Sequence, residues 1–448
     1  MAAAALLFVA LVLGGASRLH EMRLALVELA ALPLLVTAVA SLYRASDQPA
    51  SKLALGIIVA IGALPLIQLI PLPPAIWAGL PGREQLSLAL DVAEISPGWA
   101  PLSLTPDLTW RSFLALVPPI AMFLGVLACG SNTRLRLIAV LLAGAVVSVL
   151  LGSAQLASGS ERLYPWRSTD AGSVVGFFAN RNHLATLCLL SIPFAAALGA
   201  RDLRRGDGRG NVTLWISALF IALMVIALGV IRSRVGVLLV GPSLLASLAV
   251  AWLAAGRDRP KLSILGIMAG AAVAMVAVSF FALGPILDRF GSGGAAEGRF
   301  ENWPVVVEAA ESYLPFGSGI GSFDAVYRSV EPLERLDATF FNQAHNEYLE
   351  IWLEAGILGI GVVVVFLVWF ARRSWSAWTG GVGTQRDIQR AATVAIVMVL
   401  LHSVVDYPLR TAALATVFAM CCAILELSAH TLEEIPRRRR RIRALRDG

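Results

Sequence analysis

The stretch AHNEYLEIWLEAGILGI (Ala344–Ile360) opens with a His-Asn pair and three glutamates and runs into glycine-spaced apolar residues followed by four valines. Asn346 suits a helix N-cap, with Glu347 and Glu350 in the first turn, where the helix dipole favours negative charge. The apolar remainder, read as 348–371, is long enough to cross a bilayer, which takes roughly 20 residues. Gly356, Gly359 and Gly361 are expected to permit close helix contact in lipid. A cap accounts for Asn346 and the glutamates. It gives His345 no role.

The rest of the chain repeats this apolar pattern. Of 448 residues, 57% are hydrophobic and only 15% charged, far from soluble usage. Twelve apolar runs are counted, at about 3–16, 24–42, 53–71, 112–129, 137–157, 183–200, 212–231, 235–255, 262–284, 348–371, 391–405 and 411–428. The fold class expected is an all-α polytopic membrane protein with about 12 transmembrane helices and one large extracytoplasmic loop subdomain. The opening MAAAALLFVALVLGGAS lacks a basic leader region and is read as the first membrane helix. With that end inside, 22 of the 36 basic residues fall on the cytoplasmic side, seven of them in the tail RRRRRIRALR (Arg437–Arg446). The tail reads as an anchor beside anionic lipid. All four cysteines lie within apolar runs, so neither an outer disulfide framework nor a zinc finger is expected.

On this topology the outer face carries an interfacial loop at about 72–111, rich in proline and tryptophan, and a larger segment at 285–346. The larger segment holds nine acidic residues and four arginines: Arg289, Arg299, Arg328 and Arg335. A helix is expected at about 300–313, broken at Pro315, and Gly317–Gly321 reads as a turn rather than a nucleotide loop because no strand precedes it. The domain plan is 1–284 (nine spans), 285–346 (periplasmic loop), 347–430 (three spans) and 431–448 (basic tail).

Polar groups recur at the same outer depth. GFFANRNHLATL places Asn180, Arg181, Asn182 and His183 at the end of the sixth run, IRSRVG places Arg232 and Arg234 between the seventh and eighth, and HSVVDYPLR places His402, Asp406 and Arg410 between the last two. Arg232 or Arg410 can also be read as snorkelling at a helix end. Arginine binds diphosphate oxygens bidentately and keeps its charge. A neutral histidine can take a proton from an attacking hydroxyl. Such a set suits transfer of a sugar from a lipid diphosphate, with the arginines stabilising the leaving group. His183, His345, His402 and Asp406 are also a conceivable metal set, but no H-x-x-x-H pair and no D-x-D supports one.

At these residues the chain resembles the bacterial O-antigen ligase and polymerase superfamily of membrane glycosyltransferases. The family pattern is His, then Asn, Ser or Gln, nine residues, then G-x-x-G. Here it reads His345, Asn346, nine residues and Gly356 to Gly359. FFANRNHLA, SRVG, GRFENWPVVVEA with PFGSGIGSF, and HSVVDYPLR follow the family in its order, over roughly 65–425. The resemblance implies a GT-C-like, inverting, metal-independent transferase without cofactor. Its donor would be an undecaprenyl-diphosphate-linked glycan and its site would face the periplasm from the bacterial inner membrane. Arg234 and Arg299 match arginines that hold the diphosphate, and His345 matches the histidine that activates or orients the acceptor. Asn180, Arg181, Asn182, His183, Asn346, Asp406 and Arg410 are carried as substrate-binding candidates.

The acceptor is expected to be lipid A–core, as in a ligase. The alternative is a polymerase of O-antigen or exopolysaccharide joining lipid-linked repeats; some relatives glycosylate proteins. Nucleic acid is not an expected partner. A polysaccharide-related transporter or flippase also suits twelve spans, but transporters bind near the midplane and show repeats. A scaffold of a polysaccharide machine would not need arginines and a histidine on one face.

Overall fold

The computed structural model describes residues 1–16, 21–44, 50–96, 98–166, 172–203, 208–255, 297–335, 341–381 and 383–427. At 21, 202, 203, 208–211, 297–299 and 335 it describes the backbone alone. The helices are α1 (Ala2–Leu13), α2 (Glu21–Arg44), α3 (Lys52–Gln68), α4 (Pro74–Ala78), α5 (Glu84–Val92), α6 (Pro106–Ala115), α7 (Val117–Ala128) and α8 (Ser131–Ser158). They continue with α9 (Arg181–Leu203), α10 (Gly208–Ile231), α11 (Arg234–Ala255), α12 (Glu297–Ser312), α13 (Phe323–Val330), α14 (Glu347–Thr379), α15 (Thr384–His402) and α16 (Ala412–Glu426).

Among the described residues, seven helical stretches are long and apolar enough to cross a membrane: α2, α6–α7 together, α8, α9, α10, α11 and α14. Three shorter apolar helices, α1, α3 and α16, coincide with the first, third and twelfth runs. The eleventh run falls on α15, whose first turns carry Arg386, Asp387 and Arg390. The ninth run (262–284) and the basic tail lie outside the described residues. The chain is thus a mostly helical, multi-pass membrane protein. One departure from the all-helical expectation is a two-residue antiparallel pair, β1 (Pro71–Leu72) with β2 (Ala100–Pro101), which closes the 72–99 loop at its base.

Packing explains which helices carry polar side chains. Helix α9 is the hub, against α8, α10, α11 and α15, and its apolar window is 94% buried. A helix surrounded by protein has its polar groups satisfied by neighbours instead of exposed to lipid. Helix α16 packs on α1, α7 and α15. Its Glu426 fastens the far end of the bundle, accepting from Ser51 N (2.5 Å), Trp369 Nε1 (2.7 Å) and Arg373 Nε (2.6 Å).

The segment around α12 and α13 has a small core of its own: Val306, Ala309 and Ala310 of α12, Phe323, Val326 and Tyr327 of α13, and Ala344 and Leu353 beneath them. Helix α12 begins three residues before the expected start. Gly317, Gly319 and Gly321 all adopt positive φ, as the expected turn requires.

The capped helix start is present: Asn346 Oδ1 accepts from Tyr348 N (3.0 Å) and Leu349 N (3.1 Å). The packing role given to Gly356 needs correcting. Its φ of 55° and ψ of −144° break α14, and a Cβ there would lie 2.2 Å from the Pro315 carbonyl oxygen. The glycine is required so that the 315–321 turn can press against the helix backbone; the released Ile357 N–H donates to Pro315 O (3.0 Å).

Candidate active site

The four outer segments singled out in the sequence meet around Asp406. This carboxylate is fully buried at the connection between α15 and α16. Asn182 Nδ2 donates to its Oδ2 (2.5 Å) and the Tyr407 N–H to its Oδ1 (2.9 Å). His345 Nδ1 stands 3.7 Å from Oδ1 and His402 Nε2 3.9 Å from Oδ2. Burial pushes the Asp406 carboxyl up, but the imidazole of His345, together with those of His183 and His402, outweighs it. The group is held well below the usual carboxylate range. Asp406 is therefore an anion with imidazoles beside it.

Each ring is held differently. The His402 Nδ1 pairs with Thr186 Oγ1 at 2.7 Å, inside the bundle. His183 is fully buried, edge-on to Tyr407 (5.4 Å) and to Phe178 (6.3 Å). His345 lies between Phe341 (5.7 Å) and Tyr407 (4.8 Å). Its backbone is left-handed, φ 49°, a conformation that a non-glycine residue adopts only when its surroundings hold it there. His345 thus presents Nδ1 toward an anion, the arrangement that orients an imidazole so that its other nitrogen can take a proton.

A second chain of bonds reaches Ser233, the residue before Arg234. Ser233 Oγ donates to Asn182 Oδ1 (2.8 Å) and accepts from Gly236 N (3.1 Å), so the start of α11 is tied to the start of α9. Arg234 is the first residue of α11 and half-buried, whereas Arg232 is exposed, with φ 55°. Asn180 Oδ1 accepts from Asn182 N (2.8 Å), and Arg181 Nη1 lies 3.5 Å from Ser173 Oγ. Arg299 falls in the first turn of α12. That helix is fastened beside His345 by Trp303, whose Nε1 donates to the Ala344 carbonyl (3.0 Å).

Arg410 does not join this group, and it does not snorkel. Its Nη2 lies 2.8 Å from Glu354 Oε2 and 3.1 Å from Glu350 Oε1, both carboxylates buried. Burial alone would lower its pKa, but Glu350 and Glu354 raise it above its ordinary value, so the charge is permanent. The glutamates likewise exceed the dipole role expected of them. Glu354 Oε1 accepts from Gly321 N (2.9 Å), Glu350 Oε2 from Ala344 N (3.3 Å), and Glu347 from Ser403 Oγ (2.5 Å) and Leu409 N (2.7 Å).

Residues 219–364 match the O-antigen ligase family. No curated protein matches the chain. The matched span supports the O-antigen ligase superfamily, and with it a membrane function of ligase or polymerase type acting on lipid-linked glycan and an acceptor. It runs from within α10 to within α14 and so contains Arg234, Arg299, His345 and Asn346. Asn182, His402 and Asp406 lie outside it and reach His345 through the fold.

The imidazoles and carboxylate considered as a metal set do come together. Among the described residues, however, no three His, Cys, Asp or Glu side chains are placed to hold a metal ion. Both Asp406 oxygens already accept hydrogen bonds, and His402 spends Nδ1 on Thr186.

Beside this network lies a cavity of about 750 Å³. Its body is apolar, with Leu64, Leu116, Val363 and Phe418 among its walls; Asp324, Asn342, Gln343 and Arg410 give it a polar side. Neither His345 nor Arg234 lines it. Glu347 and Ser403 do, and they form the wall next to the histidine. Sequence reading missed Ser233, Thr186, Tyr407 and Ser403. All four lie inside the quoted segments, Tyr407 next to Asp406, Ser233 next to Arg234 and Ser403 next to His402, but a hydroxyl there carries no sign of its distant partner.

Proposed function

We propose that the protein is an inverting, metal-independent glycosyltransferase of the O-antigen ligase type. It would move a glycan from an undecaprenyl diphosphate carrier to an acceptor hydroxyl, with lipid A–core as acceptor. The observation that carries this reading is His345, inside the matched span, held in a left-handed backbone conformation with Nδ1 facing the buried Asp406 anion.

In this mechanism the acceptor hydroxyl attacks the anomeric carbon from the face opposite the carrier. The new C–O bond forms as the bond to the diphosphate breaks, so the configuration inverts. The hydroxyl proton passes to His345, and the electron pair leaves on the polyprenyl diphosphate. Arg234 and Arg299 stabilise the charge that develops there. Asp406 orients His345 and favours its protonated form. Asn182 positions Asp406 and, through Ser233, the start of α11. The carrier's tail would occupy the apolar cavity, whose lining suits an isoprenoid chain.

The topology proposed with this function has twelve spans, the basic tail in the cytoplasm and the 285–346 segment over the site in the periplasm. The seven long apolar helices and the basic runs between them support it.

The test is transfer by purified protein in lipid, with polyprenyl-diphosphate-linked glycan, EDTA, and either lipid A–core or a second lipid-linked repeat. Product on lipid A–core that disappears in His345→Ala is the expected result. Elongated lipid-linked glycan with the same dependence would make the protein a polymerase, a reading the family match favours equally. No transfer to either acceptor by folded wild type would overturn the proposal.

A further inference from the structure

A second cleft, of about 560 Å³, opens between α12 and the start of α14. Its lining includes Phe300, Trp303, Glu308 and Glu311 from α12, and Asn346 and Leu349 from α14. Positions 300, 303, 308 and 311 share one face of a helix. Val306, Ala309 and Ala310 fill the small core, whereas Phe300, Glu308 and Glu311 are left exposed. Phe300 is 53% exposed.

We propose that this face of α12 is a carbohydrate platform that seats the acceptor glycan and selects uncharged sugars. The inference rests on the transferase reading above and assigns the acceptor's place within it. The Phe300 and Trp303 rings stand 4.8 Å apart at 74°, an open corner of two aromatic faces. A pyranose lays its C–H face on such a ring and turns its hydroxyls outward. The Trp303 bond to the Ala344 carbonyl fixes the indole before any ligand arrives and sets the platform one residue from His345. Glu308 and Glu311 are exposed along the same stripe and accept from sugar hydroxyls. Asn346 commits its Oδ1 to the helix cap, which leaves its amide NH2 as a donor at the cleft wall.

The two carboxylates decide which substrate belongs here. A diphosphate, a uronate or a phosphorylated sugar would be repelled. The Glu308–Glu311 end of the cleft therefore disfavours an acidic sugar, and an uncharged or N-acetylated acceptor end is admitted.

The experiment is saturation-transfer NMR and titration on full-length protein in nanodiscs with three lipid-free probes: maltotriose, chitotriose and trigalacturonate. Wild type should bind the two uncharged probes weakly, with Kd of about 1 mM, and the acidic one at least about tenfold less tightly. Phe300→Ala should weaken the uncharged probes by about tenfold. Glu308→Gln with Glu311→Gln should abolish the discrimination, and His345→Asn should bind as wild type does. In transfer assays Phe300→Ala should raise the acceptor KM and leave the donor KM unchanged. Wild type that binds none of the probes, a Phe300→Ala protein that binds like wild type, or equal affinity for the acidic probe would each overturn the platform. Binding without any transfer would overturn the transferase reading and leave the platform standing.

Discussion

Two buried anionic centres flank the start of α14, one on that helix and one in the α15–α16 connection, and their surroundings differ. The Glu350–Glu354 pair is closed: its oxygens meet Arg410 and the backbone N–H groups of Ala344, Gly321 and Phe323. Its partners are a fixed cation and the turn it holds down. Asp406 instead faces imidazoles beside its two amide hydrogen bonds, and one of them sits on left-handed backbone. Burial and charge do not separate a clamp from a working site. The nature of the partners does: a permanent cation with backbone amides in the first case, amides joined by imidazoles, groups able to carry a proton, in the second.

That contrast can be broken by substitution. The largest effect is expected from His345→Asn, a residue that tolerates the left-handed backbone. Transfer should fall by about 10³-fold while the unfolding midpoint in detergent holds. Glu354→Gln should do the reverse. Leaving Arg410 under-compensated is expected to cost about 3–5 kcal/mol of stability, read by denaturant unfolding, and to expose the 315–322 turn to protease. Neutralising the whole centre with Glu350→Gln, Glu354→Gln and Arg410→Met should recover much of that loss, because no buried charge is stranded.

Asp406→Asn sharpens the comparison from the other side. It is expected to lower kcat by about 10²-fold with acceptor KM near wild type. Asn346→Ala should cost only about 1 kcal/mol, the value of an N-cap. The smallest effect concerns acid. The Asp406 carboxyl is held below its ordinary value of about 3.9, so the stability it supplies is complete above that value and lost as pH falls beneath it. Between pH 5 and pH 3 the wild-type melting temperature should drop further than that of Asp406→Asn.

The sequence carried the membrane class, the positions of most helices, the Asn346 cap and the segments that meet at the site. These rest on local signals: apolar run length, capping chemistry and ordered motifs. What it did not carry depends on contacts far along the chain. Glu354 reaches Arg410 across 56 residues, and Asn182 reaches Asp406 across 224. A glutamate in a first turn reads as a dipole partner until its distant neighbours are known. Gly356 looked like a packing glycine because G-x-x-G in an apolar run fits that pattern; the Pro315 carbonyl that demands a break comes from another segment. The two-residue strand pair at the base of the 72–99 loop is too short for any alternation to register.

The Gly356 break has a mechanical consequence. Below it, residues 357–379 make about 34 Å of helix, close to the roughly 30 Å of a hydrocarbon layer. Above it, the turns from Glu347 to Ala355 are fastened to Ser403, Arg410 and the outer segment. Bilayers differ in thickness, and a spanning helix answers by tilting. Here each piece has anchors of its own: the lower rod is held at its far end by Trp369 and Arg373 on Glu426, the upper piece by its bonds to Ser403 and Arg410. The break is where the two sets of anchors meet, so the membrane-spanning rod and the segment beside His345 are positioned separately.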